Sequence, residues 1–365
     1  MLTWKNKRLI ETFIVLLFVG ILGVTIAEDG EFKLEEPNGF SGDSAYCKVV
    51  EPRSIDGIDN YANVMNYKYI TKVSTESKQK NVHLKDLDFS FCENIDIPGM
   101  PDTKEEDFLN QYIFSTAQCP QGICITDDFV FITSYSAEDE CMGSFMVFDK
   151  ETGEYLITLG MDMDSHLGGI ACDGENVWVC NSTNNTVERI SYDFIHLMAT
   201  QNKGQVVDAT NLVDVYKVKN RPSCITFYNG RLWVATHNVW LNSRMVAYYY
   251  DKNKDELKDL STYHIPSQVQ GIAFGENGEV YLSSSYGRKY SSYIRKYESV
   301  FAMTEKVNEP MLMIEMPPCS EEIAVHDDML YVLFESAGEK YLEGTDGNGK
   351  SLSPLDKILL IPLDK

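Results

Sequence analysis

The sequence predicts an all-β fold, a β-propeller of five four-stranded blades preceded by one N-terminal apolar helix. Three observations predict the propeller: a motif that recurs five times, an aromatic residue at a fixed place in every repeat, and turn residues between these two marks. With 365 residues, of which 44% are hydrophobic, the chain is able to bury a core of that size.

Each repeat opens with a small or polar residue that precedes alternating apolar residues. The second positions of these openings are separated by 47, 54, 48 and 51 residues, which is about the length of one propeller blade. These positions are Gly122, Gly169, Ser223, Gly271 and Glu322.

A short β-rich run with one aromatic residue follows each opening. The aromatic residues are Phe131, Trp178, Trp233, Tyr281 and Tyr331. Pairs such as Asn229-Gly230 stand between the two marks and suit two-residue hairpins, because both central residues of that turn need a positive φ. One aromatic residue per repeat at one register predicts packing between blades rather than ligand binding.

The fifth repeat lacks a fourth strand of its own. We predict that Leu109–Ser115 supplies this strand, because closing the ring removes two unpaired sheet edges. A ring of six blades, with an irregular blade hidden in residues 43–105, is the alternative.

Three regions follow from the pattern: residues 1–27, 28–105 and 106–365. In the first, Lys5, Lys7 and Arg8 precede the uncharged run Phe13–Ala27, which predicts a single-pass membrane anchor over residues 9–27. The basic flank should stay cytoplasmic, so the rest of the chain lies outside the membrane. Cleavage after this run, which would give a secreted protein, is the alternative.

Residues 28–105 read as an acidic spacer and an irregular extension that packs on the propeller of residues 106–365. A disulfide between Cys47 and Cys92 is one way to fasten this extension. Four of the nine cysteines, Cys124, Cys172, Cys180 and Cys224, fall in predicted strands, where they are expected to act as small buried hydrophobic residues.

Two segments resemble known propeller families. Val177–Asn181, followed by Asn185-Thr186-Val187 and Ile190, resembles the repeat of YVTN-type propellers. Cys119–Ile123 is similar to the blade openings of NHL-type propellers and regucalcin-type lactonases. These resemblances imply a β-propeller. The resemblance to regucalcin-type lactonases also implies a divalent cation in the central channel.

The lactonase resemblance places the cation at the blade openings. The matching positions here are Gln121, Gly168, Pro222, Gln270 and Glu321. Only Glu321 among them is a carboxylate, and calcium prefers several charged oxygens, so we expect no cofactor. Calcium or another divalent metal, with Glu322 and Glu335 nearby, stays the alternative.

The net charge of −23 excludes a nucleic-acid partner, because such surfaces need clustered Lys and Arg residues. In a propeller the crossovers between blades and the loops between second and third strands share one face, and here those loops are long. Function is therefore expected on this long-loop face. The candidate ligand-binding residues are Gln121, Tyr135, His166, Asn181, Arg221, His237, Trp240, Gln270, Tyr286, Arg288, Glu321 and Glu335.

We expect a non-enzymatic module that binds a glycan or a protein partner outside the membrane. A hydrolase or lactonase with a metal in the central channel is the alternative. Trp240 has two interpretations. Its ring either packs onto its own blade or forms a flat platform with Tyr135, Tyr286 and Tyr290.

Overall fold

The structure, a computed structural model, describes side chains for most of residues 57–71, 80–95, 97, 118–137, 142–163 and 166–363. The chain divides into two compact units, residues 1–48 and 49–365. In the first, β1 (Thr25–Ile26) and β2 (Phe32–Lys33) form an antiparallel pair. The remainder of the predicted anchor and Cys47 lie outside the described residues. Within the described part of the chain, no helix is long and apolar enough to cross a membrane.

The second unit begins with four short elements that precede the first repeat. They are α1 (Asn60–Met65), β3 (Lys80–His83), the 3-10 helix Leu84–Asp86 and β4 (Ser90–Phe91). Asp59 caps α1 by accepting a hydrogen bond from the Ala62 amide at 2.9 Å.

Five antiparallel sheets then follow in chain order and form a five-bladed β-propeller. Blade 1 contains β5 (Gln118–Ile125), β6 (Phe129–Ser136), β7 (Met142–Asp149) and β8 (Tyr155–Met163). Blade 2 contains β9 (Ile170–Cys172), β10 (Asn176–Asn181), β11 (Thr186–Ser191) and β13 (Asp214–Lys217). Blade 3 contains β14 (Cys224–Tyr228), β15 (Arg231–Ala235), β16 (Ser243–Asp251) and β17 (Glu256–Ile265).

Blades 4 and 5 repeat this order. Blade 4 contains β18 (Val269–Phe274), β19 (Val280–Ser284), β20 (Ser292–Tyr297) and β21 (Leu312–Met316), with α3 (Val300–Glu305) before its last strand. Blade 5 contains β22 (Ser320–His326), β23 (Met329–Phe334) and β24 (Leu359–Pro362), with α4 (Glu339–Glu343) in the long loop between the last two.

Two blades carry a fifth strand on their outer edge. After β11 the chain forms α2 (Tyr192–Gln201) and then β12 (Gln205–Asp208), which pairs in parallel with β8 of the preceding blade. Strand β3 pairs in parallel with β21. Both additions cover edges that would otherwise expose unpaired backbone groups.

The turns and aromatic residues behave as the repeat predicts. Asn229 and Gly230 have φ values of 49° and 70°, the left-handed conformation that the predicted hairpin requires. The repeated aromatic residues of the first four blades are buried, and Tyr331 of the fifth is half-buried against the core. Their predicted packing role is confirmed.

The ring is closed by an N-terminal strand, but not by the predicted one. Strand β4 pairs antiparallel with β24, with Phe91 opposite Leu359 and Ser90 opposite Leu360, so it occupies the place assigned to Leu109–Ser115. That segment lies outside the described residues. The prediction was wrong because β4 is two residues long, too short to show a recognisable alternation.

Small residues at the blade openings are a steric requirement of the ring axis. A Cβ atom added to Gly122 would lie 3.1 Å from the Gly169 Cα, and one added to Gly271 would lie 2.7 Å from the Glu322 Cα. Neighbouring inner strands therefore approach too closely for a side chain at these two glycines, whereas the same position of blade 5 is Glu322.

The cysteines of the described residues are free thiols. Cys124, Cys180 and Cys224 are buried as predicted, and Cys172 is half-buried. Cys92 is also a free thiol, and Cys47, its predicted partner, lies outside the described residues. Desolvation raises the pKa of Cys92 and, to about 11, that of Cys172, which disfavours the reactive thiolate.

Closure by β4 predicts a specific effect of proline at position 92. The Cys92 amide donates to the Ile358 carbonyl at 2.9 Å, and proline has no amide hydrogen. Cys92→Pro should lower the free energy of unfolding by about 1–3 kcal/mol in a denaturant titration. Cys92→Ala keeps the amide and is the matched control. Equal stability of the two variants would contradict closure at this strand.

Candidate functional site

Two glutamate side chains, Glu321 and Glu335, form a hydrogen-bonded pair under the mouth of the central channel. Both residues are buried, with 2% and 8% of their surface exposed. Desolvation raises the pKa of both carboxyls, and the negative charge of Glu335 raises the pKa of Glu321 further. Burial thus favours the protonated forms of the two neighbouring carboxyls.

The two blade-opening glutamines orient this pair. Gln121 donates from Nε2 to Glu335 Oε2 at 2.9 Å, and Gln270 donates from Nε2 to both oxygens of Glu321 at 2.9 Å. These contacts bring together four residues that the sequence predicts. Both carboxyls therefore accept hydrogen bonds from an amide nitrogen.

The pair is covered by the short helix α4. Tyr341 forms a hydrogen bond with Glu335, and its own hydroxyl lies 3.4 Å from that of Tyr135. Lys340 donates to the Tyr135 hydroxyl at 2.9 Å, and its charge lowers the pKa of Glu335 against the larger effect of burial. Neither Lys340 nor Tyr341 is among the predicted residues, because their loop matches no part of the repeat.

Arg288 fastens the loop that carries α4. Its guanidinium group donates to both carboxylate oxygens of Asp346, at 2.7 and 2.5 Å, and to the Gly349 carbonyl. The same group lies 4.4 Å from the centre of the Tyr341 ring. The hydrogen bonds from Arg288 lower the pKa of Asp346. Arg288 therefore positions the loop instead of contacting a ligand directly.

Two histidines stand at the rim of the mouth. His166 is exposed and stacks on Tyr135 with ring centres 4.3 Å apart. Although His166 reaches solvent, the surrounding protein partly desolvates its ring, and this effect, with the charges of Lys340 and Arg221, lowers its pKa. His237 is held by the Val269 carbonyl and by Gln270, and desolvation lowers its pKa as well.

Trp240 does not pack onto its own blade. Its side chain is 77% exposed, and its ring lies 6.0 Å from Tyr286, which in turn lies 6.3 Å from Tyr290. The three rings form an aromatic row along the rim, between the loops of blades 3 and 4. Tyr135, the fourth ring of the predicted platform, is not part of this row. It is buried beside Tyr341.

Arg221 and Asn181 occupy different environments. Arg221 is exposed at the opening of blade 3 and lines a surface cavity with Asn220. Asn181 is fully buried and donates to Glu188 Oε1 at 2.7 Å, while its own Oδ1 accepts from the Asn184 amide. Asn181 thus stabilises the turn after β10 and reaches no open surface.

Glu322 lies deeper, at the axis. The Ile272 amide donates to its Oε1 at 3.3 Å, and the amides of Ile170 and Ile225 lie close enough to lower its pKa. Burial outweighs these contacts and raises the pKa well above the usual range. A Cβ atom on Gly169 would lie 2.2 Å from Glu322 Oε2, so this carboxyl group requires a glycine opposite it.

The comparisons with known proteins give structural similarities at a low level only. No protein-family model and no curated protein matches the chain. Among solved structures, the glutaminyl cyclase of Myxococcus xanthus matches at 11% identity and a TM-score of 0.43, covering 69% of this chain and 95% of that one.

Two further solved structures are similar at the same level. A chain of a nidogen/laminin complex matches at 16% identity and a TM-score of 0.36, covering 60% of this chain and 73% of that one. The hydrazine synthase of Kuenenia stuttgartiensis matches at 13% identity and a TM-score of 0.35, covering 60% of this chain and 56% of that one. None of the three assigns a function at this level of similarity.

The buried pair predicts a pH dependence of stability. A carboxyl with a raised pKa binds its proton more tightly in the folded state, so its contribution is present below the unfolded pKa of about 4.5 and is lost as pH rises toward the folded pKa. The free energy of unfolding should therefore fall with pH above this value, and Glu321→Gln should reduce the slope. His166 acts oppositely between about 4 and 6.5, so the difference between variant and parent is the quantity to measure.

Denaturant titrations between pH 5 and 8 would measure this difference. Glu298→Gln, at an exposed glutamate on the far side of blade 4, is the control and should leave the slope unchanged. Equal slopes for Glu321→Gln and the parent protein would mean that the pair does not share a proton in the folded state.

Proposed function

We propose that this chain is a binding module that recognises a glycan through its long-loop face. The observation that carries the proposal is the aromatic row of Trp240, Tyr286 and Tyr290. An indole ring that is 77% exposed has no role in the core, and flat rings at a rim bury the apolar faces of sugar rings.

Hydrogen bonds with two neighbouring residues fix the loop that carries Trp240. Asn238 lies in the Trp240 loop and fixes its conformation, since its Oδ1 accepts from the amides of Trp240 and Leu241 at 3.1 Å. Gln268 anchors the same loop by donating to the Val239 carbonyl. A platform held in place before binding loses little entropy when a ligand arrives.

We propose further that the module is displayed outside a membrane by an uncleaved anchor at residues 9–27. The basic flank and uncharged run support this, and a secreted form is the alternative. The motif at Val177–Ile190 supports a relationship to YVTN-type propellers, with no bearing on the ligand. A protein partner on the same face would be a separate result of the experiments below.

A hydrolase is the second candidate, and the observation that favours it is the buried pair of Glu321 and Glu335, whose pKa values burial raises. One member of such a pair is able to take a proton from water while the other gives its proton to the carbonyl oxygen under attack. Glycosidases hold their carboxyls about 5–9.5 Å apart, so a hydrogen-bonded pair favours an ester, lactone or amide substrate.

The version of this candidate with a divalent metal needs both carboxyls ionised. Among the described residues, no three His, Cys, Asp or Glu side chains form a group able to hold a metal ion. The metal remains a proposal, with Glu321 as its expected ligand.

The aromatic row predicts the effect of removing Trp240. Trp240→Ala should weaken glycan binding by about 1–3 kcal/mol, because the ring covers the sugar, while the melting temperature stays within a few degrees. A glycan array followed by calorimetry on a bound sugar would measure this. Phe301→Ala in α3, at a ring that is 70% exposed on the opposite face, is the matched control. Lost stability with unchanged affinity would assign Trp240 to packing.

The hydrolase candidate predicts turnover of small esters or lactones by the purified protein. Glu335→Gln should lower that rate by about 10²–10⁴-fold, since it removes the general base. Metal analysis of protein prepared without chelator distinguishes a hydrolase with a divalent metal from one without. A bound metal that is lost in Glu321→Gln would support the version with a metal. No turnover with any ester, lactone or amide probe would exclude this candidate.

A further inference from the structure

A cavity of about 440 Å³ lies beside the aromatic row and holds an unusual set of charges for this chain. Three cationic side chains line it, Lys219, Arg221 and Arg244, and no acidic residue does. Its other polar walls include Asn220, Asn238 and Asn242. The whole chain has a net charge of −23, so this local reversal of sign needs a specific explanation.

Two of the three cations form no ion pair with any described residue. Lys219 binds Asp259 at 3.1 Å, whereas Arg221 and Arg244 are exposed and have no carboxylate within salt-bridge distance in that part of the chain. Most other arginines of the propeller are paired or stacked, as Arg189 and Arg288 are with aspartates. Two unpaired guanidinium groups in one cavity leave their donors available to an anion.

The backbone beside Arg221 is fixed before any ligand binds. Asn220 donates from Nδ2 to the Val234 carbonyl and to Thr236 Oγ1, both at 3.1 Å, and accepts from the Tyr248 hydroxyl at 2.8 Å. Thr236 in turn donates to the Arg221 carbonyl at 2.7 Å. The base of the cavity is therefore a built structure rather than a gap between mobile side chains.

A second cavity, on the opposite face, is lined mainly by acidic instead of basic residues. It measures about 460 Å³ and is lined by five carboxylates, among them Asp127, Asp149 and Glu154, with Lys203 as its one lysine. At physiological salt, charges more than about 8 Å away are largely screened. An anion near Arg221 and Arg244 thus experiences these two charges more than the acidity of the whole chain.

We infer that this cavity receives the carboxylate or sulfate group of an acidic glycan whose neighbouring sugar lies on the aromatic row. The inference rests on the proposed function and specifies its ligand. Planar guanidinium groups bind carboxylate and sulfate oxygens through paired hydrogen bonds, and the amide nitrogens of Asn238 and Asn242 suit adjacent hydroxyls. The loop at residues 238–242 joins the two subsites, since Trp240 belongs to the row while Asn238 and Asn242 line the cavity.

The inference is tested with three hexasaccharides of equal length, one sulfated, one containing uronate and one uncharged, and with inorganic sulfate alone. The double variant R221Q/R244Q should weaken binding of the acidic sugars by about 10- to 100-fold, because charge-assisted hydrogen bonds are lost. Its effect on the uncharged sugar should be below about twofold. The ratio between the sulfated and uronate sugars identifies which anion the cavity prefers.

Arg231→Gln is the matched control, because it removes one positive charge from the same blade at an exposed position on the opposite face. It should leave all affinities unchanged. Trp240→Ala should weaken the charged and uncharged sugars alike, which separates the row from the cavity.

The outcomes distinguish the inference from the proposed function. If the uncharged sugar binds as tightly as the acidic ones and R221Q/R244Q changes nothing, the inference is overturned while the glycan module stands. If no sugar binds but sulfate binds and is lost in R221Q/R244Q, the cavity is an anion site and the glycan proposal is overturned. If neither sulfate nor an acidic sugar binds, the cavity has no role in anion binding.

Discussion

The close approach of five inner strands around one axis is the constraint on which the rest of the structure depends. At this approach Gly122, Gly169 and Gly271 have no room for a side chain. The space that remains at the axis holds the carboxyl group of Glu322, beside backbone amides from three other blades. A ring with one more or one fewer blade would change this spacing, so the glycines and the blade number depend on each other.

The same geometry creates the buried carboxyl pair. Strand β22 enters the ring with two consecutive glutamates, and Glu322 points to the axis while Glu321 meets Glu335 from the long loop of the same blade. Two carboxyls without water are stable only when they share a proton or face a cation. Gln121 and Gln270 donate hydrogen bonds to the pair, and the loop held by Arg288 and Asp346 covers it.

The mouth face therefore contains two chemically different regions. Under the mouth lies a covered pair of carboxyls, and two histidines with lowered pKa values stand at its rim. Off the axis lie an exposed aromatic row and a cationic cavity, joined by one loop of blade 3. Exposed rings and unpaired arginines are accessible to a large ligand, whereas the pair is buried under α4, which is why binding is proposed for the rim and hydrolysis only for the pair.

From the sequence alone, five blades were favoured over six, and the repeated aromatic residues were predicted to be buried. This was possible because the repeats impose one steric pattern five times, and a pattern repeated five times is readable without knowledge of distant contacts. The closing strand was not readable, since two residues at Ser90–Phe91 carry no periodicity and their partner lies over 260 residues away. Likewise, only the tertiary structure showed that Glu321 meets Glu335, that Tyr341 covers them and that Arg221 lies near Arg244. These contacts come from loops outside the repeat, whose positions are set by packing rather than by local spacing.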